Sequence, residues 1–511
     1  MVVEREWREA SDMRRSTVTL AAILIVAAVL RFLGIDAGIP YAIGVDEPQI
    51  VNRAVIMMKT GDFNPHFFDY PTLYIYVQLV VAALRFMTGA MSGHWGSLGE
   101  VSSAEFFLWA RAMSAAIGTL TVLLVHQIGA RWGTRPALLA AGLMAVMPLH
   151  VRESHYALTD VPLTFFVTLT MLCTLRMHEQ PRVQRVIAAG VAAGLAAATK
   201  YPGALALLMP VIAIWMTRTI RPSRAAATMV VATSAGAAFL LAAPYTFIDL
   251  PAFLNGYARL AAFYAPAAAD PGWLTYLKHI RNSIQWPASI AVIGGLAFAA
   301  VRAVKGPGHV RWALVAVFPV AYLAFIANQS GLVYGRYALP VLPFVCLLAA
   351  TAVVSGVSFL RRFAIPRAPR TVLIVALTVA ILLPAAITSI NFNRTIAKRN
   401  TAWFAYHWLA ENVPKDAEIV VECNDLGLVY SPLRSRAVRQ LRLEDQEHYQ
   451  KSGAQYLVAS SACYGPYFSG NAPEEQGEYL RLFEQNEEVA RFAATPDHPG
   501  AEFRIFKVRR R

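Results

Sequence analysis

Apolar segments recur along the first 392 positions of the chain, and they constrain its fold more than any other feature. A helix that crosses a bilayer needs ~20 apolar residues. Only 15% of the residues are charged, whereas a soluble domain has roughly 25%. The sequence therefore predicts a polytopic α-helical membrane protein with about eleven transmembrane helices, and up to thirteen. The predicted segments are, approximately, 17–35, 106–129, 134–151, 157–176, 184–200, 201–218, 225–247, 286–303, 311–328, 335–359 and 371–391.

The formal net charge is +14, and its positive residues cluster in short loops between the apolar segments. Cytoplasmic loops of membrane proteins carry an excess of Lys and Arg. Because the clusters follow loops and not a groove, nucleic acid is not expected as a partner. The basic groups are Arg5, Arg8, Arg14 and Arg15; Arg131 and Arg135; Arg176, Arg182 and Arg185; Arg218, Arg221 and Arg224; Arg302, Lys305 and Arg311; and Arg361, Arg362, Arg367 and Arg370.

The loops between these basic groups are acidic, and a single orientation satisfies all of them. They contain Asp46, Glu47, Asp69, Asp160 and Asp249. The charge pattern predicts a multi-pass protein of the cell (inner or plasma) membrane with a cytoplasmic N-terminus. The same alternation places everything after residue 392 outside the cytoplasm.

Residues 71–90 are long enough to cross the bilayer, but a crossing there would place every later basic loop outside. We therefore expect this segment to lie against the outer leaflet, which makes 36–105 one long external segment. Within it, 47–59 repeats apolar residues at helical spacing and predicts an interfacial juxtamembrane helix. External segments of this length are usually functional.

From about residue 394 the pattern becomes that of a soluble α/β domain. Strands are predicted at 418–422, 455–460 and 502–508, and helices at 404–413 and 474–485. The expected division is a transmembrane catalytic domain at 1–392 and an extracytoplasmic domain at 393–511. Cys423 and Cys463 lie in the latter and are free to pair outside the cytosol, although the sequence leaves their pairing open. Cys173 and Cys346 lie in apolar segments as packing residues.

Acidic residues at the predicted outer face are the first candidates for chemistry. Asp46 and Glu47 begin the interfacial helix, and Asp160 lies at the mouth of a spanning segment. A carboxylate there can act as a general base, and an acid at the edge of an apolar segment is costly unless it is paired or functional. The alternative is that these acids cap helices.

Three cations also lie on the predicted outer side, against the usual distribution of positive charge. They are Lys200, Arg336 and, a short way into a spanning segment, Arg111. Lys and Arg bind lipid phosphate well, so a lipid phosphate at the outer leaflet is one expected partner. Ion pairs with Asp46, Asp160 or Asp249 are the alternative, and the two are compatible.

Other polar side chains accompany these groups on the same side. His66 and Asp69 together suit a divalent metal ion, although this signal is weak. His155 lies in the same loop as Asp160, and a single histidine there is more often a hydrogen-bonded residue than a metal ligand. We assign Tyr337 to the phosphate site, and substrate contacts to Arg152, His155, Tyr156, Tyr70 and Tyr201.

Several separate stretches, taken in order, resemble the GT-C glycosyltransferases. The likeness is to the branch of the dolichyl-phosphate-mannose protein mannosyltransferases and the lipid A aminoarabinose transferases. It covers most of 1–392, and no single motif decides it. The stretches are GVDEPQIVNRAVIMMKTGDF, FDYPTLYIY, WARAMSAAIGTLTVLLVHQIGARWG, PLHVRESHYALTDVPLTFF, AAATKYPGAL and YGRYALPVLP.

This resemblance implies an inverting glycosyltransferase that moves a hexose or pentose from a polyprenyl-phosphate donor to a hydroxyl. It implies that Asp46 is the general base, that Glu47 positions Asp46 or contacts the acceptor, and that Asp160 is the second acid. Lys200, Arg336 and Arg111 would bind the phosphate. Asp69 stands where some relatives have a metal-binding acid, but Tyr70 replaces the lysine found beside it in some of them.

Two further readings compete with this one. A transporter or flippase for a lipid-linked glycan would carry its charged groups near the bilayer midplane, often in paired repeats, whereas the candidates here cluster at one face. A membrane scaffold would leave Lys200 and Arg336 unexplained. The sequence names neither the sugar nor the acceptor, which is a glycan, a lipid or a protein.

Overall fold

The computed structural model describes residues 2–41, 44, 46–217, 223–264, 272–304, 308–329, 333–360, 367–423, 426–470 and 472–509. The predicted loop residues Arg218, Arg221, Lys305, Arg361 and Arg362 lie outside them, as do the side chains of Arg5, Arg8, Arg367 and Arg370.

The chain divides into two compact units. The membrane unit comprises Met1–Ile35, Gln49–His94 and Trp109–Phe392, and the C-terminal unit comprises Asp36–Pro48, Trp95–Leu108 and Asn393–Arg511.

Sixteen α-helices precede residue 397 in the described part of the chain. They are α1 Val2–Phe32, α2 Glu47–Thr60, α3 Leu73–Met91, α4 Phe107–Gly129, α5 Thr134–Ala145, α6 Pro148–Glu153, α7 Asp160–Glu179, α8 Val183–Thr199, α9 Leu208–Met216, α10 Arg224–Ala242, α11 Tyr245–Ile248, α12 Leu250–Phe263, α13 Trp273–Val304, α14 His309–Ala327, α15 Leu342–Leu360 and α16 Arg367–Ile396.

Nine helical segments of the described residues are long and apolar enough to cross a membrane. Two shorter apolar segments, Val183–Thr199 and Tyr201–Met216, coincide with two further predicted helices. The polytopic helical fold predicted from the sequence is therefore confirmed. Leu73–Met91 is among the nine, so its length and composition suit a crossing as well as the interfacial position that we predicted.

The prediction of one helix at 134–151 is wrong. Helix α5 ends at Ala145 and α6 begins at Pro148, with Met147 extended between them. Proline disfavours a helical conformation in the residue before it and lacks the N–H that a continuing helix requires. The apolar composition continues across this break, which is why hydropathy alone missed it.

Helix α2 confirms that the segment predicted as an interfacial helix, 47–59, is helical. Four of the apolar residues that recur at helical spacing in this segment are buried: Ile50, Val51, Ala54 and Val55. Met57 is buried as well, and it packs with Tyr74 and Ile75 of α3.

Small residues let the helices of the membrane unit pack closely. A Cβ atom at Gly194 of α8 would overlap the backbone oxygen of Ala235 in α10, and one at Gly190 would overlap Ser234. Close backbone approach of this kind is how membrane helices gain packing contacts without a hydrophobic driving force.

The C-terminal unit is built on a five-stranded mixed sheet of order β2-β1-β3-β5-β4. Strand β1 pairs in parallel with β2 and β3, whereas β5 is antiparallel to β3 and β4. The strands are β1 Ile419–Glu422, β2 Ser435–Val438, β3 Tyr456–Ser460, β4 Glu487–Phe492 and β5 Phe503–Lys507, and the helices are α17 Thr401–Asn412, α18 Gln446–Lys451, α19 Ser461–Tyr464 and α20 Pro473–Gln485.

A disulfide joins Cys423, after β1, to Cys463, in α19. The buried Glu422 carboxylate accepts hydrogen bonds from the Leu441 and Ser460 amides and from the Tyr479 hydroxyl. Cys173 and Cys346 are free, as expected.

We predict that Gly194→Ala lowers the free energy of unfolding by about 1–3 kcal/mol, because the added methyl group forces α8 and α10 apart. Chemical denaturation in detergent measures this change. The control is Gly236→Ala in α10, where a Cβ atom has no neighbour within 4 Å. Equal destabilisation by both variants would contradict close packing at Gly194.

Candidate active site

The candidate site is built around Asp160, a buried carboxylate of the membrane unit. Lys200 Nζ lies 2.7 Å from Asp160 Oδ1, and Arg336 Nε lies 3.8 Å from Oδ2. All three side chains are largely shielded, with 4% of Asp160, 13% of Lys200 and 21% of Arg336 exposed. The structure therefore brings together one predicted acid and two predicted cations, which is the ion pairing that the sequence left open as an alternative.

Each member of this cluster lies at an interruption between helices. Asp160 is the first residue of α7, and Thr159, not Asp160, holds the N-cap position. Lys200 is the extended residue after α8, followed by a 3₁₀ segment at Tyr201–Leu207. Arg336 lies in the 3₁₀ segment Gly335–Val341 that precedes α15. Such interruptions place long polar side chains at the helix ends, where they meet.

Aromatic rings surround the two cations. Lys200 Nζ lies 4.4 Å from the Tyr337 ring centroid and 5.8 Å from that of Tyr70. The Arg336 guanidinium lies 4.7 Å from the Tyr334 ring. The faces of aromatic rings attract cations, so the tyrosines add to the stabilisation from Asp160.

A cavity of about 180 Å³ opens beside this cluster. It is lined by the predicted residues Asp69, Tyr70, Lys200, Tyr201 and Tyr337. Sequence reasoning missed the rest of its polar lining, and no spacing pattern indicates it. These residues are Tyr257, Tyr264, Tyr322 and Gln329.

Two hydrogen bonds fix tyrosines of the cavity. The Tyr201 hydroxyl donates to the Phe68 carbonyl oxygen at 2.7 Å, and the hydroxyls of Tyr264 and Tyr337 are 2.8 Å apart. Burial lowers the pKa of the Arg53 guanidinium, and the nearby Asp69 carboxylate raises it. The acid in the cavity thus has a cation of its own nearby.

The loop before α7 adds a residue that sequence reasoning did not select. Glu153 is buried, and burial raises its pKa, whereas Arg152, only 2.6 Å away, lowers it. Asp160 raises and Arg336 lowers the same pKa, so Glu153 is an electrostatic neighbour of the cluster. The acid was visible in the loop, but its burial was not.

The predicted residues Arg111, His155 and Tyr156 form a separate group. Arg111 Nη1 donates to the Ile35 carbonyl oxygen at 3.1 Å and lies over the Tyr156 ring. His155 Nδ1 lies 2.8 Å from the Val151 oxygen and Nε2 lies 3.1 Å from the Leu33 oxygen. Burial lowers the His155 pKa. These side chains are not among the cavity-lining residues.

The predicted metal pair is not brought together as expected. His66 Nε2 lies 2.9 Å from Asp62 Oδ2, and both side chains are more than half exposed, whereas Asp69 faces the cavity. Within the described ranges, no group of three or more His, Cys, Asp and Glu side chains is placed to hold a metal ion.

Asp46 and Glu47 belong to the C-terminal unit. Glu47 is fully buried and accepts a hydrogen bond from the Gly44 amide at 2.8 Å, while Asp46 is partly exposed. In the same unit the Tyr41 carbonyl oxygen accepts a bond from the Gly427 amide. The segment just before Asp46 and Glu47 is therefore hydrogen-bonded to the C-terminal part of the same unit.

Known proteins share this architecture. Residues 67–265, less than half of the chain, match the family model described as dolichyl-phosphate-mannose-protein mannosyltransferase. The archaeal oligosaccharyltransferase AglB from Archaeoglobus fulgidus aligns with a TM-score of 0.59 and 12% identity, over 96% of this chain and 74% of that one. ArnT from Cupriavidus metallidurans in its apo state aligns with a TM-score of 0.58 and 15% identity, over 97% and 98%.

The chain has the GT-C glycosyltransferase fold. The predicted resemblance to this class is thereby confirmed, and the protein is a multi-pass membrane protein. ArnT bound to undecaprenyl phosphate also aligns, with a TM-score of 0.55 and 16% identity over 96% of this chain and 97% of that one. A search of the curated proteins gives no match.

We predict that Asp160→Asn lowers the free energy of unfolding by about 3 kcal/mol, because it leaves Lys200 and Arg336 shielded from water without a carboxylate. Adding Lys200→Met to this variant should recover part of the loss, with a coupling energy above about 0.5 kcal/mol. Denaturation of the two single variants and the double variant measures this coupling.

The control is Glu179→Gln, which removes the partner of Arg131 in an ion pair whose acid is 43% exposed. Such a pair contributes at most about 1 kcal/mol. Simple additivity of the Asp160 and Lys200 substitutions would contradict a direct interaction between them.

Proposed function

We propose that the protein is an inverting glycosyltransferase that moves a sugar from a polyprenyl-phosphate donor to a hydroxyl acceptor at the outer face of the membrane. The observation that carries the proposal is the pair of cations, Lys200 and Arg336, that share the single carboxylate of Asp160 beside a tyrosine-lined cavity.

The charges of this cluster suit a phosphate. Two cationic side chains, Lys200 and Arg336, converge on the Asp160 carboxylate. Cations in a site shielded from water attract an anion more strongly than they do in bulk solvent. When the glycosidic bond to phosphate breaks, the departing lipid phosphate gains negative charge, which Lys200 and Arg336 are placed to stabilise.

Asp160 would hold the two cations until the donor arrives. Without the Asp160 carboxylate, the mutual repulsion of Lys200 and Arg336 would move their side chains apart. The carboxylate thereby preorganises the cations, which lowers the cost of ordering them during the reaction. We assign Asp160 this role in the site, and Tyr337, whose ring lies against Lys200, the role of shaping the phosphate pocket.

A hydroxyl acceptor is a weak nucleophile and needs a base, whereas a phosphate leaving group needs no general acid. We propose that Asp46 removes the acceptor proton and that Glu47 fixes the turn that carries Asp46. This assignment rests on the sequence resemblance and on the hydrogen bond between Glu47 and the Gly44 amide. Attack by the acceptor oxygen on the anomeric carbon breaks the sugar–phosphate bond in one displacement and inverts the configuration.

The cavity is proposed to receive the sugar. Tyr70, Tyr201 and Asp69 line it, and their hydroxyl and carboxylate groups can hydrogen-bond a hexose or pentose. Asp69 would instead bind a divalent metal ion if this chain follows the relatives that carry a metal-binding acid there. Arg111, Arg152, His155 and Tyr156 are proposed to support the loop that contains Asp160.

The ligands of two structural neighbours support the proposed donor class. One is described as AglB in complex with an inhibitory peptide and a dolichol-phosphate, and another as ArnT bound to undecaprenyl phosphate. Both lipids are polyprenyl-type monophosphates, and this supports the same donor class here. The acceptor, which is a glycan, a lipid or a protein, is not specified by these ligands.

We predict that the purified protein releases free polyprenyl phosphate from a polyprenyl-phosphate sugar when an acceptor is present, and that Asp46→Asn reduces this release by at least 10²-fold, the usual scale for a lost general base. Lipid binding by this variant should stay within about twofold of wild type, because Asp46 does not hold the phosphate in this proposal.

Asp62→Asn is the matched control, because Asp62 is an acid of the same predicted external segment that pairs with His66 on the surface. It should turn over normally. Lipid binding without release by wild-type protein, for every sugar donor and acceptor class, would instead favour a transporter of lipid-linked glycans.

A further inference from the structure

A second cavity lies in the membrane unit, and none of its described lining residues lines the candidate active site. We name it the α1–α16 groove. Its volume is about 470 Å³, within the usual range for small-molecule sites. Its lining is almost entirely apolar and consists of Thr19, Ile23, Arg135, Leu138, Leu139, Gly142, Val353, Val354, Val357, Ser358, Ile374, Thr378 and Leu382.

The groove begins near one end of the apolar parts of three helices. Thr19 lies near the start of the apolar part of α1, Met13–Phe32, Arg135 is the second residue of α5, and Ser358 lies near the end of α15. From Arg135 to Gly142 along α5 is about 10 Å at 1.5 Å per residue. One leaflet of the hydrocarbon core is about 15 Å thick. The groove therefore extends over about two-thirds of the depth of a single leaflet, which is enough for much of an acyl chain.

Among the residues that the structure describes, Arg135 is the one charged member of the groove lining. Its side chain is exposed, and it has no ion pair or hydrogen bond with any described residue. A cation in the first turn of a helix opposes the helix dipole, so α5 gains nothing from it. The hydroxyls of Thr19, Ser358 and Thr378 donate to carbonyl oxygens of their own helices. Arg135 is thus the group that can distinguish one headgroup from another.

We propose that the α1–α16 groove binds a glycerophospholipid with an anionic headgroup, with an acyl chain along the apolar wall and the phosphate on Arg135. Basic pockets between transmembrane helices on the cytoplasmic side are known to suit anionic headgroups. Arg135 belongs to a basic group that the charge pattern places on that side, as do Arg14 and Arg15 near the start of the apolar part of α1. Positive charge and a chain-sized apolar wall therefore occur together.

This site is distinct from the donor site of the proposed reaction. Lys200 and Arg336 lie in loops that alternate along the chain with the basic loops, and this alternation places them on the outer side of the membrane. A polyprenyl-phosphate donor would reach that side, whereas the bulk anionic phospholipid of the cytoplasmic leaflet reaches the groove. The inference does not depend on transferase activity.

Native mass spectrometry of the purified full chain tests the proposal, with phosphatidylglycerol and phosphatidylcholine of equal chain length as the probes. Wild-type protein should bind phosphatidylglycerol in preference to phosphatidylcholine. Arg135→Gln should weaken phosphatidylglycerol binding by roughly fivefold, the value of one basic residue at a charged membrane surface. Arg182→Gln is the control, because Arg182 is an exposed basic residue of another loop on the same predicted side.

The apolar wall has its own matched pair of variants. A Cβ atom at Gly142 would meet the Leu382 methyl groups at 3.7 and 3.8 Å, which are ordinary contacts. Gly142→Ala should therefore bind lipid as wild type does, whereas Gly142→Leu fills the groove and should remove binding of both lipids at this site.

Three results would overturn the proposal. Equal binding of the two phospholipids would show that the protein does not recognise the headgroup. An equal loss of phosphatidylglycerol binding in Arg182→Gln would show that the effect comes from general surface charge. Displacement of phosphatidylglycerol by polyprenyl phosphate, with sensitivity to Arg135→Gln, would show that the groove takes the reaction lipid instead.

Discussion

The ion cluster of Asp160, Lys200 and Arg336 is the interaction on which the rest of the candidate site depends. A carboxylate with 4% of its side chain exposed is stable at the start of a membrane helix only because it has cationic partners. Those partners in turn fix the ends of α8 and α15. Tyr70 and Tyr337, whose rings face Lys200, also line the cavity, so shape and charge arise from the same residues.

Much of the fold follows from the sequence because a bilayer permits few solutions. Apolar length and basic loops are sufficient to locate most helices. The failure at 134–151 came from Pro148, which breaks a helix without changing its hydropathy. Strands β2 and β4 were missed in the C-terminal unit because the residues of both are only partly buried or exposed, so neither shows a clear apolar pattern.

The site was predictable only in part. Lys200, Arg336 and Asp160 could be identified because charges at apolar edges are rare and costly. Tyr264 and Tyr322 could not, since tyrosines are common in membrane helices and only packing brings these two to the cavity. His66 was assigned to a metal with Asp69, but its nearest acid is Asp62, four residues earlier. The sequence therefore correctly indicated that His66 has an aspartate beside it, but it selected Asp69 in place of Asp62.

The two cavities of the membrane unit differ in the polarity of the residues that line them. One is lined by tyrosines, a lysine and an aspartate, whereas the described lining of the other is an apolar wall with one arginine. The central claim concerns the first of them, and an experimental structure with bound polyprenyl phosphate tests it most directly. We predict phosphate oxygens about 3 Å from Lys200 Nζ and from the Arg336 guanidinium. A phosphate bound elsewhere, with Lys200 still paired to Asp160 alone, would contradict the account.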